Sequence, residues 1–131
     1  MPTYSVKKIG DMQATAGGVM RRARAELGVS AFGMQIEELP PQFDRYPEHS
    51  HSEDGQEEVY VVLRGGGEID IEGERIALDP ETLVRVSAGT SRKIFPGPDG
   101  MRVLVIGGVP GAAYEPTEFS KLAGADPLAA D

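Results

Sequence analysis

Cysteine is absent from the sequence, which excludes disulfide bonds, thiolate chemistry and zinc sites with cysteine ligands. Long apolar runs are absent too, and none approaches the roughly 20 residues that cross a bilayer. The opening residues, MPTYSVKKIGDMQ, lack the apolar core of a signal peptide. These absences lead us to expect a cytoplasmic protein.

Positive charge is scarce relative to negative charge. Lysine and arginine number 13 against 21 aspartates and glutamates, for a net charge of -8 at pH 7 and a pI near 4.7. Such a surface repels the phosphates of nucleic acids and of anionic membranes, so we expect neither as a partner. A length of 131 residues fits one domain with a core of its own.

Turn-forming residues are abundant and separate short apolar segments. The chain holds 17 glycines and 10 prolines, as expected for many short strands joined by tight turns. The predicted elements are strands at AFGMQIEEL (31–39), EEVYVVL (57–63) and TLVRV (82–86), a hairpin at GEIDIEGERIAL (67–78) that turns at Glu72-Gly73-Glu74, and a hairpin of RKIF (92–95) with MRVLVIG (101–107) around residues 96–100. About seven strands with turns every eight to twelve residues are typical of an all-β sandwich or barrel.

The two ends of the chain show less regular patterns. Residues 1–29 predict an arm, with one strand around Tyr4–Ile9 and a short helix over 19–27 that ends at Gly28. The arginines of this helix are interpreted as a solvated face, with a binding patch as the alternative. Residues 110–131 have little periodicity and predict a tail that lies on the surface or is partly disordered. We therefore divide the chain into 1–29, a barrel at 30–109, and 110–131.

The stretch EHSHSEDGQEEVYVVLRGGG, residues 48–67, contains both histidines of the chain. His49 and His51 supply H-x-H, and Glu58 followed by six residues and Gly65 supplies E-x6-G. This stretch resembles the first motif of the cupin superfamily, G-x5-H-x-H-x3,4-E-x6-G. The resemblance implies a double-stranded β-helix, or jelly-roll barrel, in which His49, His51 and Glu58 ligate a divalent metal.

Two departures from the first motif stand out. Phe43 occupies the position of the leading glycine, and six residues separate His51 from Glu58 where the family has three or four. A loop that is two residues longer costs little. Glu57 is the rival ligand by spacing, but strand alternation places Glu57 and Glu58 on opposite faces, and the spacing to Gly65 favours Glu58.

The second motif of the family, G-x5-P-x-G-x2-H-x3-N, maps onto residues 81–96 with one match, Gly89. Arg92 occupies the position of the fourth metal ligand. A guanidinium stays protonated and does not ligate metals, so an inward-facing Arg92 would either pair with Glu58 or attract an anion. We therefore predict that Arg92 binds a small anionic ligand. Tyr60, on the same face as Glu58, either lines the pocket as a hydrogen-bond donor or is a core aromatic.

The function remains open between several classes. Two imidazoles and one carboxylate suit Fe(II), Mn(II), Ni(II) or Zn(II) and leave positions for a ligand. One hypothesis is a metal-dependent dioxygenase, isomerase or decarboxylase acting on a small organic acid. Another is a non-catalytic module that binds a small anion, and a third is a barrel whose role is assembly, since cupins commonly form homodimers. The simplest alternative is a polar, exposed loop with two inert histidines, and the other acids around it are interpreted as a solvated acidic loop.

Overall fold

The computed structural model describes residues 3–124 and 126. Its strands are β1 (Ala14–Thr15), β2 (Met20–Arg21), β3 (Gly33–Leu39), β4 (Glu57–Ile71), β5 (Glu74–Leu78), β6 (Leu83–Val86) and β7 (Arg92–Gly108); its helix is α1 (Ala23–Leu27), and 3-10 turns lie at Ile9–Asp11, Ala16–Gly18 and Glu118–Ser120. The strands form one antiparallel sheet in the order β1-β2-β3-β7-β4-β5, with β6 paired to β4. The all-β jelly-roll prediction is confirmed. In the described part of the chain, no helix is long and apolar enough to cross a membrane.

Strands β4 and β7 are the two longest strands of the barrel. They pair along their whole length, from Glu57 opposite Gly108 to Ile71 opposite Arg92, with register shifts on either side of Arg64. The predicted hairpin of 92–95 with 101–107 is therefore wrong, because both segments take β4 as their partner. The irregular pairing lets two long strands bend around the barrel instead of remaining flat.

The hairpin between β4 and β5 is confirmed. Ile69 pairs with Ile76 and Ile71 with Glu74. The two residues between the strands, Glu72 and Gly73, have φ of 50° and 92°, as a two-residue hairpin turn of the primed type requires. The sequence signal sufficed here because the turn is local and its glycine accepts a positive φ.

The N-terminal segment differs from its prediction in two ways. Tyr4 and Val6 are exposed and belong to no strand. The helix begins only at Ala23, because Met20 and Arg21 form β2 and pair with Glu37 and Ile36 of β3. Pairing with a neighbouring strand outweighs the helical period of a short segment. The predicted cap is confirmed, since Gly28 has a left-handed φ of 80° and its N–H donates to the end of α1.

Two apolar clusters lie on opposite sides of β3. Leu39 belongs to the main cluster inside the barrel. Ile36 packs outside it with Met12 and Ala23 of the N-terminal segment. Because strand residues alternate between faces, Glu37 shares the inner face with Leu39, and it is buried. The N-terminal segment thus covers the outside of β3 and leaves a carboxyl group facing inward.

The arginine cluster is not a solvated helix face, so that interpretation is wrong. Arg22 is buried and donates hydrogen bonds to the carbonyl oxygens of Phe119 and Gly124 at 2.8 and 2.7 Å. Arg21 pairs with Glu38 at 3.1 Å. The contacts of Arg22 hold the C-terminal segment against the barrel, where Phe119 packs on the main cluster. Residues 110–124 include no buried residue and lie on the surface of the barrel, which is one of the two predicted alternatives for the tail; residues 125 and 127–131 lie outside the described residues.

Candidate metal centre and ligand cavity

The two histidines lie on an extended segment that is fixed to the chain around Arg92. The N–H of His49 donates to the carbonyl oxygen of Arg92 at 3.0 Å, and the N–H of Arg92 donates back at 2.8 Å. The N–H of His51 donates to the carbonyl oxygen of Ala88 at 2.7 Å. Residues two apart on an extended chain project to one side, and the two ring centroids are 5.2 Å apart.

Glu58 of β4 completes a cluster with both rings. Its Oε1 lies 3.1 Å from Nε2 of His51 and 3.9 Å from Nε2 of His49. The three potential ligand atoms all lie within 4.8 Å of one another. Glu57, the rival by spacing, turns the other way and pairs with the exposed Arg85 at 3.6 Å. The structure therefore brings His49, His51 and Glu58 together and leaves Glu57 out.

Each histidine is held through its Nδ1 atom. Nδ1 of His49 lies 3.0 Å from the carbonyl oxygen of Pro47, and Nδ1 of His51 lies 3.1 Å from Oδ1 of Asp54. Both partners only accept hydrogen bonds, so each Nδ1 carries the proton and, in a neutral ring, each Nε2 presents its lone pair to the cluster. Asp54 is exposed, as the interpretation of a solvated acidic loop expects, and its carboxylate also orients His51.

The contacts within the cluster shift the pKa values of Glu58 and His51. Burial by itself would raise the pKa of Glu58, but contacts with His49, His51 and Tyr60 outweigh burial and hold that pKa well below its usual range. The Glu58 carboxylate raises the pKa of His51 against the effect of burial, and Asp54 adds to the rise. Nε2 of His51 is buried without an aligned hydrogen bond. Three lone-pair donors at this separation are stabilised by a proton or by a metal ion.

Arg92 and Tyr60 both lie against Glu58. The Arg92 side chain is fully buried, with Nη2 3.7 Å from Glu58 Oε1, and it donates to the carbonyl oxygens of Thr90, Val86 and Ser87 at 3.0 to 3.4 Å. The Tyr60 hydroxyl donates to Glu58 Oε1 at 2.9 Å. Neither side chain is among the described residues that line the adjoining cavity, so direct ligand binding by either stays a prediction.

A cavity of about 410 Å³ opens beside the cluster, and parts of the chain far apart in sequence line it. His49, His51, Asp54 and Glu58 lie on one wall, and Gln35 and Glu37 of β3 are further polar members of the lining. The sequence did not predict the contributions of the N-terminal segment (Ala16, Val19, Met20, Arg24) and of the C-terminal segment (Tyr114, Thr117, Phe119, Ser120) to the lining. For the N-terminal segment, the cluster of arginines at 21, 22 and 24 was the sequence feature that could have indicated a role in the cavity.

Glu37 is a second buried carboxyl group in the cavity. Its exposed fraction is 5%, and Nε2 of Gln35 donates to it at 2.9 Å. Burial raises the pKa of Glu37 to about 8, the negative charge of Glu58 adds to the rise, and the Gln35 hydrogen bond opposes it. At neutral pH the group is therefore mainly a protonated acid, which can donate a hydrogen bond to a ligand.

Comparisons with known proteins agree on one family. The sequence model of the cupin domain matches residues 35–107. Similar solved structures include a cupin protein from Bacteroides fragilis, at 26% identity and a TM-score of 0.68, covering 89% of this chain and 93% of that one. An RmlC-like cupin protein from Desulfovibrio desulfuricans shares the fold at 24% identity and a TM-score of 0.53, covering 60% of this chain and 72% of that one. A predicted oxalate decarboxylase from Thermotoga maritima shares it at 19% identity and a TM-score of 0.52, covering 60% of this chain and 68% of that one. No curated protein matches the sequence. The chain belongs to the cupin family.

Proposed function

We propose that this cupin binds a divalent transition metal through His49, His51 and Glu58 and a small organic anion in the adjoining cavity. The observation that carries the proposal is the orientation of the two rings. Pro47 and Asp54 hold the Nδ1 atoms, so both Nε2 atoms face the Glu58 carboxylate. A cluster of two imidazole nitrogens and one carboxylate oxygen is a donor set for Fe(II), Mn(II), Ni(II) or Zn(II).

The donor set fits a three-ligand site. Arg92 stands where the resemblance places a fourth ligand, and its charge is held by Glu58 and by backbone carbonyl groups. A bound ion would keep positions open toward the cavity and would polarise an oxygen atom of a ligand as a Lewis acid. Asp54 supports the site indirectly, because a carboxylate behind a ligating imidazole fixes the ring and raises its basicity.

The proposal of an anionic ligand rests on the charge and size of the cavity. Three carboxyl groups line it. Glu58 contacts His51 and Arg92, Asp54 contacts His51, and burial keeps Glu37 mainly neutral below its pKa of about 8. The volume of about 410 Å³ lies in the range of small-molecule sites. A small organic acid is therefore accommodated without an unpaired negative charge beside it.

A metal-dependent enzyme acting on a small organic acid is the second candidate, as a dioxygenase, isomerase or decarboxylase. Glu37 is the observation that favours it. A protonated carboxyl group that faces the cavity near a metal site can transfer a proton, and a pKa close to neutrality suits general acid–base catalysis. Turnover of organic acids by the metal-loaded protein, followed by oxygen uptake and product analysis, separates the enzyme from a non-catalytic binding module.

Metal content tests the first part of the proposal. Protein purified without chelator, and protein incubated with each metal and then desalted, is analysed by inductively coupled plasma mass spectrometry. We expect near-stoichiometric metal in the wild type and its loss in His51→Ala and Glu58→Gln. The matched control is Glu57→Gln, the same change in the adjacent, outward-facing residue. The proposal fails if the wild type takes up none of the four metals, or if Glu57→Gln loses metal as completely as Glu58→Gln.

We also propose that the protein forms a homodimer through the outer face of β4 and β6. Val61 pairs with Leu83 across these strands, and Leu63 and Leu83 are 42% and 70% exposed. Among the described strands, β6 pairs only with β4, and an open edge strand is a ready surface for another chain. Size-exclusion chromatography with light scattering measures the mass; a monomer in the wild type would contradict the proposal.

A further inference from the structure

Arg24 is the one lysine or arginine among the described residues that line the cavity. It lies in α1, and its Nη1 donates to the carbonyl oxygen of Val29 at 3.0 Å. Its Nε is buried and has no hydrogen-bond partner. Within residues 3–124 and 126, Arg24 forms no ion pair with a carboxylate. Arg24 thus lines the cavity with a positive charge that no carboxylate of the described residues compensates, which stabilises a bound anion.

Two hydroxyl groups lie on the same wall as Arg24. Burial raises the pKa of Tyr114, whereas the positive charge of Arg24 and a hydrogen bond with Ser120 oppose the rise. The Tyr114 hydroxyl is therefore close to both residues, and all three line the cavity. The Arg24 guanidinium and the Tyr114 hydroxyl are donors that suit a carboxylate, whereas the Ser120 hydroxyl already donates to the carbonyl oxygen of Thr117 at 2.8 Å.

Much of the remaining wall is apolar. It is formed by the side chains of Val19, Met20, Met34, Phe43, Val105 and Phe119. Such a wall favours a ligand with an apolar body, because each buried apolar group gains from leaving water. Arg92 competes poorly for the same anion, since its side chain is fully buried and its nitrogens already contact carbonyl oxygens and Glu58.

We propose that Arg24 binds the carboxylate of an organic acid whose apolar body fills the cavity and whose other end lies toward His49, His51 and Glu58. The inference rests on the proposed function, because it names the contact residue and the ligand class for the anion proposed in that cavity. Arg24 is a specificity-determining residue in this scheme: it selects a charged acid over a neutral compound of the same shape.

The test compares acids with their amides. Protein incubated with Zn²⁺ is titrated calorimetrically with benzoate, 4-hydroxybenzoate and hexanoate, and with the corresponding neutral amides. We expect at least one acid to bind the wild type about tenfold or more tightly than its amide, as for a charge-assisted hydrogen bond. Arg24→Met, which keeps an apolar stem of similar length, should abolish that preference, and Arg24→Lys should retain part of it. Arg21→Met is the matched control, because Arg21 pairs with Glu38 and does not line the cavity.

The outcomes separate this inference from the proposed function. An acid preference that survives in Arg24→Met overturns the role of Arg24 while an anion site elsewhere in the cavity stands. Binding of neither acids nor amides to the wild type overturns both the inference and the anionic ligand, and metal analysis of the same sample then decides whether the metal site fails as well. Circular dichroism of each variant establishes that it is folded, and Arg24→Lys supplies the comparison if Arg24→Met is not.

Discussion

Replacing Glu37 with glutamine should flatten the pH dependence of stability, because the wild type buries an acid that must stay protonated. Burial raises the pKa of Glu37 from 4.5 to about 8. Between these values the folded state holds a proton that the unfolded state has released, so the contribution of Glu37 to the free energy of unfolding is highest below pH 4.5 and falls as the pH rises toward 8. Glutamine keeps the shape and the hydrogen-bonding capacity of the protonated acid without its ionisation.

The magnitude follows from the two pKa values of Glu37. Each pH unit between them is worth about 1.4 kcal/mol, so the full difference approaches about 5 kcal/mol. Urea unfolding of the wild type and of Glu37→Gln is measured from about pH 5.5 to about pH 8.5. Over the lower part of this range, the free energy of unfolding of the variant relative to that of the wild type should rise by about 1.4 kcal/mol per pH unit. Other titrating groups cancel in the comparison.

A matched control is Glu81→Gln, the same chemical change at an exposed residue. Its stability should remain parallel to that of the wild type across the same pH range. If the difference between Glu37→Gln and the wild type does not change with pH, Glu37 is ionised in the folded protein. Glu37 would then place an unpaired negative charge in the cavity, against the proposed anionic ligand.

Two further substitutions test the metal cluster and the barrel. Arg92→His replaces the buried cation beside Glu58 with a potential fourth ligand, and the affinity for Zn²⁺, measured by competition with a chromogenic chelator, should rise by about tenfold or more. Gly65→Ala should lower the free energy of unfolding by roughly 3 kcal/mol, measured by urea unfolding, since Gly65 has φ of +75° and an added Cβ would press against the carbonyl oxygen of Gly100.

Each of these substitutions has a control elsewhere in the sheet. Arg85→His introduces the same imidazole at an exposed residue and should leave the Zn²⁺ affinity unchanged. Gly73→Ala introduces the same methyl group at a positive φ of 92° but into open space, so it should cost only about 1 kcal/mol. A Zn²⁺ affinity unaffected by Arg92→His would show that Arg92 does not oppose the metal. Equal losses for Gly65→Ala and Gly73→Ala would contradict the role given to the contact with Gly100.

The sequence predicted features that depend on local patterns. Residues 31–39 alternate and form β3 nearly as expected, and the hairpin turn at Glu72 and Gly73 is correct. The resemblance of residues 48–67 to the first cupin motif predicted that His49, His51 and Glu58 lie together, as they do, and their roles stay predictions. Local patterns failed where long-range pairing decides: residues 92–95 and 101–107 look like a hairpin but both pair with β4.

Much of the cavity could not be predicted from local patterns, since its lining comes from contacts across almost the whole chain. Arg22 contacts the carbonyl oxygen of Phe119, 97 residues away, and neither position signals the other. Glu37 looked like an ordinary polar residue of an alternating strand, because nothing local indicates that the N-terminal segment covers the opposite face of β3. Asp54 is one of several acids in an exposed loop, and nothing in the sequence distinguishes it as the acid that contacts His51.

The hydrogen bonds of Arg22 to Phe119 and Gly124 also divide the cavity lining into two parts of the sequence. They bind the two chain ends to each other outside residues 35–107, the part that the cupin model matches. His49, His51 and Glu58 lie within residues 35–107, whereas Arg24, Tyr114 and Phe119 of the cavity lining lie outside them. We therefore expect that substitutions at these outer positions change the shape of the cavity and leave the cluster of His49, His51 and Glu58 as it is.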